Sequence, residues 1–223
     1  RAVECGAEIM VVECMAVAPE LQPIAELRLI QSSVGVITNA RADHLDVMGP
    51  GVDDVALALA QTSPRNGHLF TAEHERAHLI ARVANARGSE VHVTDDSSVT
   101  AEELAGFSYF EHAENLALAL AVCAHLGVGR AAALRGMYAA TPDPGVLRRY
   151  TVVSGGKTVT FVNAFAANDP DSTLLIWQRL GLEQREPGVK RILLANLRDD
   201  RLQRSGQIAE LVAQRLDADH VVL

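Results

Sequence analysis

Val34-Gly35-Val36-Ile37-Thr38 runs into Asn39-Ala40-Arg41-Ala42-Asp43-His44-Leu45-Asp46 and, past Pro50, into an amphipathic stretch from about Asp53 to Gln61. A short apolar run, a polar loop and a helix in succession make the repeating unit of a mainly parallel sheet covered on both faces. The pattern continues outward from this stretch. Upstream, Ile9-Met10-Val11-Val12 predicts a buried strand, and Pro23 to Ile30 part of a helix. Downstream, His68-Leu69-Phe70, Val91-His92-Val93 and Tyr109-Phe110 predict shorter strands, separated by helices at roughly 73–87 and 100–105. Two Ala-rich helices follow, at about 112–126 and 129–139. The fold class is α/β.

Thr141-Pro142-Asp143-Pro144-Gly145 interrupts the pattern. Two prolines and a glycine in five residues cannot continue a helix, so the domain boundary is expected here, with 1–147 before it and 148–223 after. Beyond it, Tyr150-Thr151-Val152-Val153 and Thr158-Val159-Thr160-Phe161-Val162 flank Ser154-Gly155-Gly156-Lys157, which predicts a hairpin. A helix is expected from Pro170 to Leu180, with Asp169 as its N-cap. A strand from Arg191, a helix near 206–216 and a last strand at Val222-Leu223 complete a second, smaller α/β domain.

The chain has 223 residues, 20 basic and 28 acidic, and a net charge of −8. That balance argues against a nucleic-acid partner, which requires clustered Lys and Arg. The basic residues include only two lysines, Lys157 and Lys190. Cys5, Cys14 and Cys123 have no metal-ligand spacing and an odd count, which points to a reducing compartment. The longest apolar run, Leu116 to Ala124, is nine residues and falls short of a bilayer span. The chain opens at Arg1 without Met and closes inside an apolar run, as expected of a piece of a longer protein.

Ligands of open parallel sheets gather at the carboxyl ends of the strands. Glu13 follows the predicted strand at 9–12, and Asn39 with Asp43-His44-Leu45-Asp46 follows the strand at 34–38. About 30 residues separate Glu13 from His44, which suits one βαβ unit and neighbouring strand ends. A carboxylate, an imidazole and further oxygen donors suit Mg²⁺ or Mn²⁺, or general acid–base work. Equally, Asp43 and Asp46 can serve as caps, with His44 a surface histidine.

His74-Glu75-Arg76-Ala77-His78 matches the H-E-x-x-H pattern of zinc peptidases on a predicted helix. Arg76 would bring a positive charge close to a bound cation, and Ala81 and Ala84 stand where the extended pattern has a glycine and a third histidine. A solvated helix face is the simpler reading. Ser154-Gly155-Gly156-Lys157-Thr158 superficially suggests a P-loop, but Thr151 takes the place of its opening glycine and a strand follows. Asn115 reads as a capping residue, Arg148 as a surface charge, and Trp177 as a core or interface anchor.

Three long segments carry a resemblance: Glu13-Cys14-Met15-Ala16-Val17; Ile37-Thr38-Asn39 with Asp43-His44-Leu45-Asp46-Val47-Met48-Gly49-Pro50; and Phe161-Val162-Asn163-Ala164-Phe165-Ala166-Ala167-Asn168-Asp169-Pro170. Pro142-Asp143-Pro144-Gly145 and Asn196-Leu197-Arg198-Asp199-Asp200-Arg201 add to it. With these motifs the chain resembles the catalytic subunits of bacterial poly-γ-glutamate synthases, capsule-forming members of the Mur-ligase superfamily.

The resemblance implies a Mur-ligase-type ATPase domain followed by a Rossmann-like ligase domain, both partial. It implies an ATP-dependent amide ligase, in which a glutamate γ-carboxylate becomes an acyl phosphate and the amino group of the next glutamate displaces phosphate. Glu13 and His44 would be Mg²⁺ ligands (Mn²⁺ being an alternative), and both count with Arg148 as catalytic. Asn39, Asn115 and Asn163 would bind the nucleotide, Asn115 at adenine, while Arg148 would reach its phosphates. Implied partners are glutamate, the growing poly-γ-glutamate chain and small membrane subunits, at the cytoplasmic face of the bacterial membrane. A folylpolyglutamate-type ligase is the alternative within the superfamily. From other classes, a zinc peptidase on His74, Glu75 and His78 and a non-catalytic nucleotide-binding subunit remain open.

The chain departs from the superfamily pattern at three points. The P-loop is expected upstream of Arg1, so this chain should bind ATP poorly and not turn over. The carbamylated lysine of many Mur ligases has no counterpart in Val55-Ala56-Leu57-Ala58-Leu59-Ala60. Ala164 replaces an aspartate that often contacts ribose, which leaves Asn163 or Asp169 for that role.

Overall fold

The computed structural model describes residues 4, 6–141, 145–167, 169–197 and 202–222. Pro142, Asp143 and Pro144 of the expected boundary, Asn168 and Arg198 to Arg201 of the motifs, and Cys5 lie outside the described residues. The chain divides into one unit of Arg1–Gly106 with Glu111–Met137 and another of Phe107–Phe110 with Tyr138–Leu223.

In the first unit, β1 (Val34–Ile37), β2 (His68–Thr71) and β3 (Glu90–Val93) form a parallel sheet in that order. The pairing is in step, with Val34 opposite His68 and His68 opposite Glu90. Helix α1 (Leu21–Ile24) continues as a wider π-helical turn, Ala25–Ile30, ahead of β1. Helices α2 (Leu45–Met48) and α3 (Val52–Leu59) join β1 to β2, and α4 (Ala77–Ala86) joins β2 to β3. Helices α5 (Ala101–Ala105), α6 (Ala113–His125) and α7 (Arg130–Ala139) follow.

Because side chains alternate along a strand, β2 serves both faces of the sheet. Leu69 packs with Ile37, Ala56, Ala60, Ile80 and Ala84 toward α3 and α4. Phe70 packs with Ala72 and Leu118 toward α6. The apolar runs therefore encode a sheet buried on both sides.

Two predicted strands do not form. Ile9, Met10, Val11 and Val12 are unpaired and exposed, Val11 by 93%. An apolar run becomes a strand only where a neighbour completes its backbone ladder, and among the described residues nothing pairs with the free edge of β1. Tyr109 and Phe110 lie in an irregular segment, where the Phe110 amide donates to the Leu147 carbonyl at 3.4 Å. Two residues are too few for a ladder.

Helix α4 also starts later than predicted. The Arg76 amide donates to Glu73 Oε1 at 3.0 Å, so Glu73 closes the turn and helical geometry begins at Ala77.

In the second unit, β4 (Arg148–Ser154) and β5 (Lys157–Asn163) make the expected hairpin. Gly155 and Gly156 take φ of +58° and +73°, as a two-residue turn that matches strand twist requires. Asp169 caps α8 (Pro170–Arg179) by accepting from the Ser172 amide at 2.9 Å. Strands β6 (Ile192–Leu194) and β7 (His220–Val222) pair in parallel, joined by α9 (Leu202–Gln214), which begins earlier than expected. Trp177 is buried with Leu211 and Leu216, the core anchor its position suggested.

Candidate functional site

In the first unit, the loop after β1 is held in place at several points. The buried Glu73 carboxylate, just past the carboxyl end of β2, accepts from the Ala40 amide at 2.9 Å through Oε2 and from the Arg76 amide through Oε1. The Glu73 amide in turn donates to Thr71 Oγ1 at 3.0 Å. One residue further along, the Arg41 guanidinium meets Glu114 in the first turn of α6 at 3.0 Å. Asn39, half-buried, thus precedes a segment fixed from two directions.

His44 ends this segment with φ +52° and ψ +36°, a left-handed conformation that is uncommon for a histidine. The Val47 and Met48 amides both donate to its carbonyl, so His44 starts α2 while its ring stays half-exposed. Its Nε2 lies 3.7 Å from Asp43 Oδ2. Backbone strain held by local bonding marks a side chain whose direction is imposed, a recurrent property of functional sites. Glu13 stands exposed in the irregular segment ahead of α1, not at a strand end. Asn115 lies in the first turn of α6 and its amide donates to Glu111 Oε1 at 3.1 Å, so it does not cap the helix.

The second unit holds the other candidates. An open groove of about 800 Å³ is lined by Phe107, Tyr109, Phe110 and Tyr150 together with Arg148, Arg149 and Arg179. Arg179 lies over the Phe110 ring at 4.7 Å. Arg148 Nε is buried and has no hydrogen-bond partner among the described residues. An N–H in that state carries a desolvation cost that an acceptor arriving in the groove would relieve. Asn163 pairs directly opposite Arg148, and its Oδ1 accepts from the Phe165 amide at 3.2 Å.

His74, Glu75 and His78 do not make a metal site. His74 and Glu75 precede α4 rather than share a helix face with His78, and Glu75 is engaged by Arg76 at 2.9 Å. The zinc-peptidase alternative therefore has no geometric support.

Sequence reasoning missed Glu73 and the arginine–aromatic groove. Glu73 directly after an apolar run was a visible signal, since a carboxylate there is either exposed or bonded to strand-end amides. The groove joins residues some 70 positions apart, and no local pattern announces it.

Residues 149–223 match the family described as the poly-gamma-glutamate synthase CapB C-terminal domain. The chain is 43% identical, over its whole length, to the capsule biosynthesis protein CapB of Bacillus anthracis, and covers 48% of that protein. It is 41% identical over 99% of its length to the PGA synthase CapB of Bacillus subtilis (strain 168), covering 56% of it. The chain thus spans about half the length of the curated relatives it matches. Among solved structures, a bifunctional folylpolyglutamate synthase/dihydrofolate synthase with Mn, AMPPNP and L-glutamate bound superposes with a TM-score of 0.58 at 22% identity, over 84% of this chain and 47% of that one. The similarity to the Bacillus proteins thus runs along the full chain, and the fold is that of the solved folylpolyglutamate synthase structures.

Proposed function

We propose that this chain is the ligase portion of an ATP-dependent enzyme that polymerises glutamate through γ-linkages, with 1–147 its ATPase-type part and 148–223 its C-terminal part. The observation that carries the reading is the buried, unpartnered Nε of Arg148 in a groove of arginines and aromatic rings. Guanidinium groups suit phosphate geometry, and aromatic faces suit a purine. Similarity to the two Bacillus proteins supports the choice of substrate.

Phosphoryl transfer depends on positioning and charge neutralisation more than on covalent chemistry by the protein. Arg148 would bind phosphate oxygens and stabilise the charge that develops on them. Asn163, on the opposing strand, would orient the nucleotide beside it. In the first unit, Glu73 and Arg41 fix the loop that carries Asn39 and His44.

His44 and Glu13, an imidazole and a carboxylate, are a donor set suited to Mn²⁺ or Mg²⁺. Such an ion, when bound, would neutralise phosphate charge. The same reading places the enzyme at the cytoplasmic face of the bacterial membrane beside small membrane subunits. Among the described residues, no helix is long and apolar enough to cross a membrane.

The test is glutamate-dependent ADP release by the enzyme expressed from its complete reading frame. Arg148→Ala and His44→Ala should each lower it at least tenfold. Wild-type rates in both variants would refute the assignment. Extension of a folate acceptor in place of glutamate polymer would favour the folylpolyglutamate-type alternative.

A further inference from the structure

The first unit contains a second cluster of chemistry-bearing side chains, at the other end of its sheet. His68 is the first residue of β2, and Glu90 and His92 lie in β3, Glu90 opposite His68 and His92 opposite Phe70. His68 and Glu90 open their parallel strands and His92 follows two residues along β3; the His68 end lies on the order of 10 Å along β2 from Thr71, next to which the Glu73 loop begins. Alternation puts all three side chains on the α6 side of the sheet, with Phe70.

Their ligand atoms converge. His68 Nδ1 is 3.0 Å from His92 Nε2, Glu90 Oε2 lies 3.6 Å from His68 Nδ1, and Glu90 Oε1 lies 3.9 Å from His92 Nε2. Among the described residues this is the group whose ligand atoms all lie within 4.8 Å of one another. A tetrahedral ion with bonds of about 2.0–2.1 Å separates its ligand atoms by roughly 3.3 Å, near the 3.0 Å between the two imidazole nitrogens, and one oxygen of Glu90 completes a set of ligand atoms within 4.8 Å of one another. Two imidazole nitrogens facing each other need a proton or a cation between them, and the carboxylate adds negative charge at the same point.

The rings are also held in place. Phe70 stacks on His92 with centroids 4.5 Å apart and planes 19° apart. His125, in the last turn of α6, packs against His68 at 4.2 Å, which brings the helix's partially negative carboxyl end near the cluster. His68 and His92 are about one-third exposed, so a fourth position stays open to water.

We propose that His68, Glu90 and His92 form a binding site for one zinc-class transition-metal ion that ties β2 to β3. Two imidazoles and one carboxylate select Zn²⁺ and its borderline-soft neighbours over Mg²⁺. The site is separate from the proposed nucleotide chemistry and does not depend on it.

The experiment is equilibrium titration of the folded chain with Zn²⁺ in excess Mg²⁺, repeated with Co²⁺ to read the ligand-field absorption of tetrahedral coordination. One Zn²⁺ per chain is expected, with affinity at least tenfold lower in His68→Gln and His92→Gln and unchanged in His78→Gln. Glu90→Gln alters an exposed carboxylate without disturbing the core, and should weaken binding at least threefold while circular dichroism stays native. No stoichiometric zinc, or zinc binding that survives His68→Gln and His92→Gln, would overturn the proposal.

Discussion

Arg148 and Asn163 face each other across the β4–β5 ladder, the first residue of one strand against the last of the other. Directly opposed residues of an antiparallel pair project to the same face, about 4.5–5.5 Å apart at Cβ. The hairpin thus delivers a guanidinium and a carboxamide to one place, although they lie 15 positions apart in the chain.

This arrangement predicts a split between stability and activity. Among the described residues, Arg148 Nε has no hydrogen-bond partner. Arg148→Ala should shift unfolding by less than about 1 kcal/mol in urea titration, because no bond is lost there. ADP release should nevertheless fall at least tenfold. Arg148→Lys, which keeps charge but not the planar fork, should recover only part of it.

Glu73 should behave in the opposite way. Its carboxylate accepts from the Ala40 and Arg76 amides inside the protein. Glu73→Ala orphans both donors and should destabilise the first unit by about 3 kcal/mol, measured by chemical denaturation. Amide hydrogen exchange at Ala40 should accelerate in the same variant.

His44 holds a left-handed backbone at φ +52°. Glycine adopts that conformation freely, so His44→Gly should be neutral or stabilising by up to about 1 kcal/mol. A thermal melt checks this, and loss of metal-dependent ADP release in the same variant would separate the ring's role from that of the backbone.

Acid should loosen the second unit late. Arg185, and with it Arg191, holds the Asp217 carboxyl down from 3.8 to about 2. A depressed folded value means that these ion pairs stabilise fully above about pH 4, and that their contribution disappears as pH falls through about 2. Carboxyl NMR titration of Arg185→Gln should move Asp217 back toward 3.8, with Arg191 still retaining part of the shift.

Much of the fold was legible because its signals are local. The runs at Val34, His68, Val91 and Ile192 formed strands, the Gly155-Gly156 turn formed its hairpin, and Asp169-Pro170 opened a helix. Each signal acts within a few residues, through backbone preference, capping or side-chain periodicity. The family motifs were legible for a different reason: they are long and contiguous.

Ile9 to Val12 shows where local reading ends. Its composition is that of a strand, yet a strand also needs a partner edge, and pairing is settled across space. His74 and His78 show the converse, since four-residue spacing brings ligands together only if a helix spans both, and Glu73 delays that helix to Ala77.

The sequence alone determined most of the helices and strands, the hairpin and the motifs, because these follow from neighbours along the chain. Tertiary structure alone decided that Glu73 is buried against Ala40, that Arg148 Nε lacks a partner among the described residues, and that His68, Glu90 and His92 converge. Burial, strand register and the meeting of side chains 24 positions apart depend on which segments pack together, and local spacing carries no record of that.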